Sequence, residues 1–295
     1  MNTATAAGVE LAYDSFGRDA DEAILLISGL GAQRIRWTTP FCEDLASRGF
    51  RVIRFDNRDA GGSTHLRDCP APDFGALAAA LEAGRRPDVP YALADMAADA
   101  VGLFDALRIE RAHVVGRSMG GMIAQILASE HPERVRSLTS IMSSTGNPAL
   151  AAAEPEVMAL MRRPSPDPFS DETAFLAHSV AFARRIAGAG FDEQAHRQLV
   201  LEEARRAYDP AGVARQLAAM ALAGDRRSRL ATIAAPTLVI HGTDDPLIPP
   251  AGGRDTADTI PNAEFLLIDG MGHDLPATQE RRVCEAIEAT ARAAL

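Results

Sequence analysis

One stretch constrains this chain more than any other: Ala112-His113-Val114-Val115-Gly116-Arg117-Ser118-Met119-Gly120-Gly121. A short apolar run ends in glycine, a serine stands two residues from a glycine on either side, and apolar residues at helical spacing (Met122, Ile123, Ile126, Leu127) follow at once. The pattern reads as strand, sharp turn and helix, with Ser118 at the apex. So tight a turn leaves no room for a Cβ two residues either side of the serine, and Gly116 and Gly120 meet that need. With Gly and Ser each near ~7% of residues, G-x-S-x-G arises by chance in about one chain in ten of this length. The flanking strand and helix are what a chance match lacks.

The surrounding pattern repeats strand and helix. Val9-Glu10-Leu11-Ala12-Tyr13 alternates as an antiparallel edge strand would, and Ala23-Ile24-Leu25-Leu26-Ile27 is continuous, as a strand buried on both faces would be. The latter ends in Ser28-Gly29-Leu30-Gly31, whose glycines let N–H groups point into a site. A dinucleotide-binding loop would need a third glycine where Arg34 stands. Residues 37–48 read as a helix closed by Gly49, 51–55 as a strand, 56–63 as a turn-rich loop and 65–90 as a Pro- and Ala-rich excursion. Residues 91–107 have helical spacing and lead into the Ser118 strand, and Ser137-Leu138-Thr139-Ser140-Ile141-Met142 is the next strand.

Between 143 and 234 the pattern holds only helix-like runs, broken at Pro164-Ser165-Pro166, Gly188-Ala189-Gly190 and Asp209-Pro210. Strand and helix then alternate again through 237–240, 250–259, 263–268 and 279–293. The expected fold class is α/β: a doubly wound, mostly parallel sheet with a helical cap inserted late in the chain. The core would comprise 1–142 and 235–295, the cap 143–234. Sites in such sheets gather at the carboxyl ends of the strands. Ser118 and the 28–31 loop both stand there.

Composition narrows the function classes. Of 295 residues 47% are hydrophobic, enough for a large core, and the net charge of −10 opposes nucleic acid and anionic membrane surfaces as partners. Arg226-Arg227-Ser228-Arg229, the most basic stretch, reads as a solvated helix end. No basic segment followed by an apolar one marks a leader at the N-terminus, and no apolar run approaches membrane-spanning length. Cys42, Cys69 and Cys284 have no metal-like spacing and read as free thiols, which fits a cytoplasmic protein. A small-molecule substrate, with the chain as monomer or homodimer, is the expected partnership.

A serine hydroxyl needs a base to take its proton, and that base needs a group to orient it. Among seven histidines, His113 lies within the Ser118 strand and reads as packed, and His131 as a helix cap. His65, His178 and His196 read as solvated, although any of them is able to line a pocket. His273 differs: Gly270-Met271-Gly272-His273 follows the last strand, at the same sheet edge as Ser118. The loop His241-Gly242-Thr243-Asp244-Asp245-Pro246 supplies a carboxylate there, Asp245 or Asp244.

The turn G-R-S-M-G-G, the acid loop H-G-T-D-D-P-L-I-P and the base loop G-M-G-H together resemble the α/β-hydrolase superfamily, from about residue 9 to the C-terminus. With D-N-R-D-A-G-G-S-T at 56–64, the chain is similar to the aclacinomycin methylesterase group of serine hydrolases. The resemblance implies Ser118 as nucleophile, His273 as general base and Asp245, directly before the proline, as its partner, with Asp244 second. It implies an oxyanion hole from the N–H groups of Met119 and Leu30, with neither cofactor nor metal. His241 is structural in such loops. Relatives carry histidine where this chain has Ser28, which removes a side chain that braces the loop. Arg117 is expected to brace a nearby Asp or Glu, and Asp56 and Arg58 to fix their own loop. The activity implied is hydrolysis of a carboxylic ester or lactone through an acyl-enzyme, with a bulky natural-product ester or macrolactone, such as a macrolide, as substrate. Carbon–carbon bond hydrolysis, enol-lactonase and perhydrolase chemistry are alternatives on the same fold, and a ligand-binding receptor that keeps the triad is one of another class.

Overall fold

The computed structural model describes residues 2–6 and 8–294. The chain runs β1 (Asn2–Ala6), β2 (Val9–Phe16), β3 (Glu22–Ile27), α1 (Thr39–Ser47), β4 (Phe50–Phe55), α2 (Phe74–Glu82), α3 (Leu93–Ala106), β5 (Ala112–Arg117), α4 (Met119–Glu130) and β6 (Val135–Ile141). The helices α5 (Pro155–Met161), α6 (Glu172–Ile186), α7 (Glu193–Arg206), α8 (Pro210–Ala223) and α9 (Arg227–Leu230) follow. The chain closes with β7 (Thr237–Gly242), α10 (Pro250–Thr259), β8 (Glu264–Ile268) and α11 (Ala277–Arg292). Eight strands form one sheet in the order β1-β2-β4-β3-β5-β6-β7-β8. The β1–β2 and β2–β4 pairs are antiparallel, and every other pair is parallel.

The continuous apolar run of β3 explains its place in the middle of the sheet. Ile24 and Leu26 pack with Trp37, Phe41 and Val283 on one face, while Leu25 and Ile27 pack with Phe104, Ile123 and Leu127 on the other. Two apolar layers therefore clamp the sheet, and the strand ends carrying Ser118 and the 28–31 loop sit side by side, with Ile27 opposite Gly116.

Two local readings need correction, and a third gains detail. The edge strand is β1, not the 9–13 segment, which lies inside the sheet between β1 and β4. The residues Asn2-Thr3-Ala4-Thr5-Ala6 are small and mostly exposed, so they carry little apolar signal. The helix expected from residue 37 starts at Thr39, because the Thr38 hydroxyl accepts from Phe41 N–H at 3.1 Å and caps it. The excursion at 65–90 contains α2, which begins where Asp73 accepts from Gly75 N–H and Ala76 N–H.

The three cysteines are free, with Cys42 and Cys284 fully buried and Cys69 half-buried. Burial pushes the Cys42 thiol up to about 12 and raises that of Cys284 as well. A thiol reagent at pH 8 is therefore expected to modify one cysteine, Cys69, in the folded protein and all three after denaturation. Rapid reaction of two or more in the folded state contradicts this.

Candidate active site

β5 delivers Ser118 in a conformation that few residues adopt, φ 54° and ψ −124°. The elbow is possible only with glycines beside it. A Cβ on Gly116 would lie 2.1 Å from the Gly120 carbonyl oxygen, and one on Gly120 would lie 2.2 Å from that of Ile27. Ser118 N–H donates to the Ile141 carbonyl at 2.9 Å, and the Ser118 carbonyl accepts from Gly121 N–H and the Ser143 hydroxyl, each at 2.9 Å. Backbone and neighbouring strand thus hold the serine at the sheet edge.

His273 Nε2 lies 2.9 Å from Ser118 Oγ, and its Nδ1 lies 2.7 Å from Asp245 Oδ2. Asp245 is itself fixed: its Oδ1 accepts from the N–H groups of Leu247 at 3.0 Å and Ile248 at 2.9 Å. Burial alone would raise the Asp245 pKa, but hydrogen bonds from His241 and His273, the imidazole charge and the Ile248 N–H outweigh it and hold the group at about 2. The ionised carboxylate accepts a hydrogen bond from His273 Nδ1–H, so Nε2 faces the serine hydroxyl as an acceptor. Asp244 is exposed and accepts from its neighbour Thr243 Oγ1 at 2.8 Å. Of the two adjacent aspartates, the geometry brings Asp245 to the histidine.

His241 belongs to β7, is fully buried, and places Nε2 2.8 Å from the Ile248 carbonyl and 3.3 Å from Asp245 Oδ2. The base loop is held from outside as well: His273 N–H donates to the Ile186 carbonyl at the end of α6, at 2.7 Å. On the other side of the serine stands the 28–31 loop, where a Cβ on Gly29 would lie 3.2 Å from Ser118 Cβ. Met119 opens α4, so its N–H has no acceptor four residues back in the helix and lies at the positive end of the helix dipole. The triad candidates and both N–H candidates therefore share one edge of the sheet.

Several side chains differ from their sequence reading. Arg117 braces no carboxylate: none lies within 4.0 Å of it among the described residues, and its guanidinium stacks 4.9 Å from the Trp37 ring. Glu203 of α7, whose charge acts on Arg117, is held by the fork of Arg36, with N–O distances of 2.8 and 2.7 Å. Burial, then the charge of Arg36, brings Arg117 down to about 10, so it stays a cation at neutral pH. Asp56 holds its own loop through Gly62 N–H at 2.9 Å, but it also reaches Arg34 and Arg206 of α7. Arg58 pairs with Asp99 of α3 through two contacts of 2.6 Å, outside its own loop.

His65 and His196 are tied down rather than solvated. The ring of His65 lies 2.8 Å from Asp209 Oδ2 and 3.0 Å from the Gly61 carbonyl, and His196 Nε2 lies 2.9 Å from Ser179 Oγ. Burial, then Arg36, brings His196 to about 4, so it is neutral at pH 7. His178 is half-buried, His113 is fully buried, and His131 caps the end of α4. Arg226 is buried rather than a solvated helix end, donating to the Ser144 carbonyl at 2.6 Å. Asp59, His65 and Asp209 bring their donor atoms within 4.8 Å of one another, yet the guanidinium of Arg215 already lies 2.7 Å from Asp59 and 3.2 Å from Asp209. That cation offsets one of the cluster's two carboxylate charges and occupies oxygens a metal would need.

The family model of the alpha/beta hydrolase fold matches residues 22–278. The chain belongs to the α/β-hydrolase family. It is 31% identical to the rhodomycin D methylesterase of Streptomyces sp. (strain C5) and 30% identical to that of Streptomyces peucetius, in each case over 97% of this chain and 96% of the relative. Among solved structures, the enol-lactonase from Burkholderia xenovorans LB400 superposes with a TM-score of 0.70 at 24% identity, covering 99% of this chain and 98% of that one. The last comparison speaks to the fold, which agrees with the mostly parallel, doubly wound sheet expected from the strand–helix alternation.

Proposed function

We propose that this α/β-hydrolase cleaves a carboxylic ester or lactone through an acyl-enzyme, with Ser118 as nucleophile, His273 as general base and Asp245 as its orienting partner. The observation that carries the proposal is the continuous relay of Asp245 Oδ2, His273 and Ser118 Oγ, with links of 2.7 and 2.9 Å. His273 takes the hydroxyl proton as Oγ attacks the acyl carbon, and Asp245 stabilises the imidazolium that forms. The N–H groups of Met119 and Leu30 receive the negative charge that develops on the carbonyl oxygen. His273 then protonates the departing alkoxide. Water, deprotonated by the same imidazole, attacks the acyl carbon and releases the acid. Ester and water give acid and alcohol, with no other reactant.

Residues 143–234 are proposed as a cap that shapes the acyl and alcohol pockets and keeps bulk water out. Met158, Leu160, Met161, Leu217, Met220 and Leu222 in this segment are all half-buried, which leaves apolar surface for a bulky substrate. The two rhodomycin D methylesterase relatives support a methyl ester of a bulky natural product as the substrate class, with a macrolactone as the variant in which alcohol and acid stay joined.

An alkyl fluorophosphonate is expected to label the purified protein once, on the peptide carrying Ser118, and to abolish hydrolysis of p-nitrophenyl acetate. Mass spectrometry on a panel of anthracycline methyl esters and macrolides then reads the chemistry: loss of methanol marks methyl ester cleavage, and gain of one water without fragmentation marks lactone opening. Labelling elsewhere, or tight ligand retention without turnover across the panel, sinks the proposal.

A further inference from the structure

Where relatives brace the loop facing the nucleophile with a histidine, this chain has Ser28, whose buried hydroxyl has no partner among the described residues. The loop is nonetheless ordered by a tight turn. Ala32 N–H donates to the Gly29 carbonyl at 3.2 Å, and Gly31 has φ +63° while Leu30 does not share the positive value. Those signs describe a type II turn, which differs from type I by a flip of its central peptide, here Leu30–Gly31. In the preceding peptide the Gly29 carbonyl points into the turn. The Leu30 N–H, on the opposite side of that trans peptide, points away from it.

A side chain from α8 holds the central peptide in its flipped state. Gly31 N–H donates to Gln216 Oε1 at 2.8 Å, across 185 residues of sequence. Gln216 is fully buried, and its other end is fixed because Nε2 donates to the Arg58 carbonyl at 2.7 Å. Both halves of the amide are used, so its orientation is determined. The contact is also close in space: a Cβ on Gly31 would lie 3.0 Å from Val213, one turn earlier on α8.

We propose that Gln216 is a positioning residue for the oxyanion hole, fixing the Leu30–Gly31 peptide from α8 and thereby aiming the Leu30 N–H beside Ser118. The inference rests on the hydrolytic reading of Ser118. It makes the helical segment part of the catalytic machinery: displacing α8 from the sheet edge removes the hold on one of the two donors.

The test uses the full chain with p-nitrophenyl acetate as substrate and an alkyl trifluoromethyl ketone, which adds the serine and forms an oxyanion, as inhibitor. Gln216→Ala is expected to lower kcat by about 10- to 100-fold, short of the ~10²–10³ lost when a donor is removed outright, with KM within about threefold of wild type. The ketone should lose affinity by a similar factor. Gln216→Met keeps the side-chain length but offers Gly31 N–H only a weak thioether acceptor, so it should lose about as much of both. Unchanged kcat and ketone affinity in Gln216→Ala overturn the proposal. So does a loss in both variants that merely follows the folded fraction in a thermal melt. Fluorophosphonate labelling separates the two levels: an unlabelled Ser118 in wild type removes the hydrolytic reading, whereas normal labelling with indifferent Gln216 variants removes only the role of Gln216.

Discussion

Asp245→Asn is expected to lower kcat by about 10³- to 10⁴-fold with little change in KM, the scale seen when a triad carboxylate becomes an amide. The reason lies in how the carboxylate is held. Its Oδ1 accepts two backbone N–H groups, from Leu247 and Ile248, so an asparagine there would turn its carbonyl oxygen to them. The amide NH₂ would then face His273 Nδ1, which must become the acceptor. Nε2 would carry the proton and point it at Ser118, the tautomer that is unable to act as base. Asp244→Asn, at an exposed position, is the control and should change kcat by less than about twofold. Equal losses from the two substitutions would reject Asp245 as the partner.

The same substitution has a signature in stability. In the folded protein Asp245 is held at about 2, against an ordinary value of 3.8. A depressed carboxylate contributes stability above its unfolded value, and that contribution is lost as pH falls through the folded one. The stability gap between wild type and Asp245→Asn should therefore be constant above pH ~5 and shrink between about pH 4 and pH 2. Chemical denaturation across that range measures it.

The sheet and the candidate triad were legible because each rests on local sequence. Ile24 to Ile27 is apolar on both faces, Gly116 and Gly120 flank Ser118 at fixed spacing, and the acid and base loops each follow a strand that can be seen by itself. What supports those loops was not legible. Gln216 meets Gly31 across 185 residues, and Glu203 meets Arg36 across 167. Neither glutamine nor glutamate in a helix announces a partner that only the tertiary fold supplies. Two misreadings share this cause. Arg117 has acids in its vicinity, but the fork of Arg36 engages Glu203 first. Arg226 looked like part of a solvated basic run, yet its fold position buries it against carbonyl oxygens.

Arg215→Met should destabilise the fold by about 3–5 kcal/mol, the loss typical of removing one partner from a buried ion pair. Arg215 is 1% exposed and Asp59 2%. The guanidinium holds Asp59 through Nε at 2.8 Å and a terminal nitrogen at 2.7 Å, and donates to the Cys69 carbonyl at 2.8 Å. Burial alone would raise the pKa of Asp59, but Arg215, Tyr91 and the Leu66 N–H together keep it below the ordinary value. Without the arginine, a carboxylate is left in the interior with a phenol and one N–H for company, and must either remain charged there or take up a proton. A thermal melt should fall by roughly 10 °C for a domain of this size. The second substitution decides the cause. Asp59 has φ 64°, a conformation that asparagine tolerates well, so Asp59→Asn removes the charge without new backbone strain. If the stranded charge is responsible, adding Asp59→Asn to Arg215→Met should restore part of the loss, giving a double mutant more stable than additivity allows. Strict additivity would instead assign the loss to the packing of the arginine stem and its bond to Cys69. A shift of less than about 1 kcal/mol in Arg215→Met would mean that water reaches this junction between α8 and the 56–66 loop, against the burial of both partners.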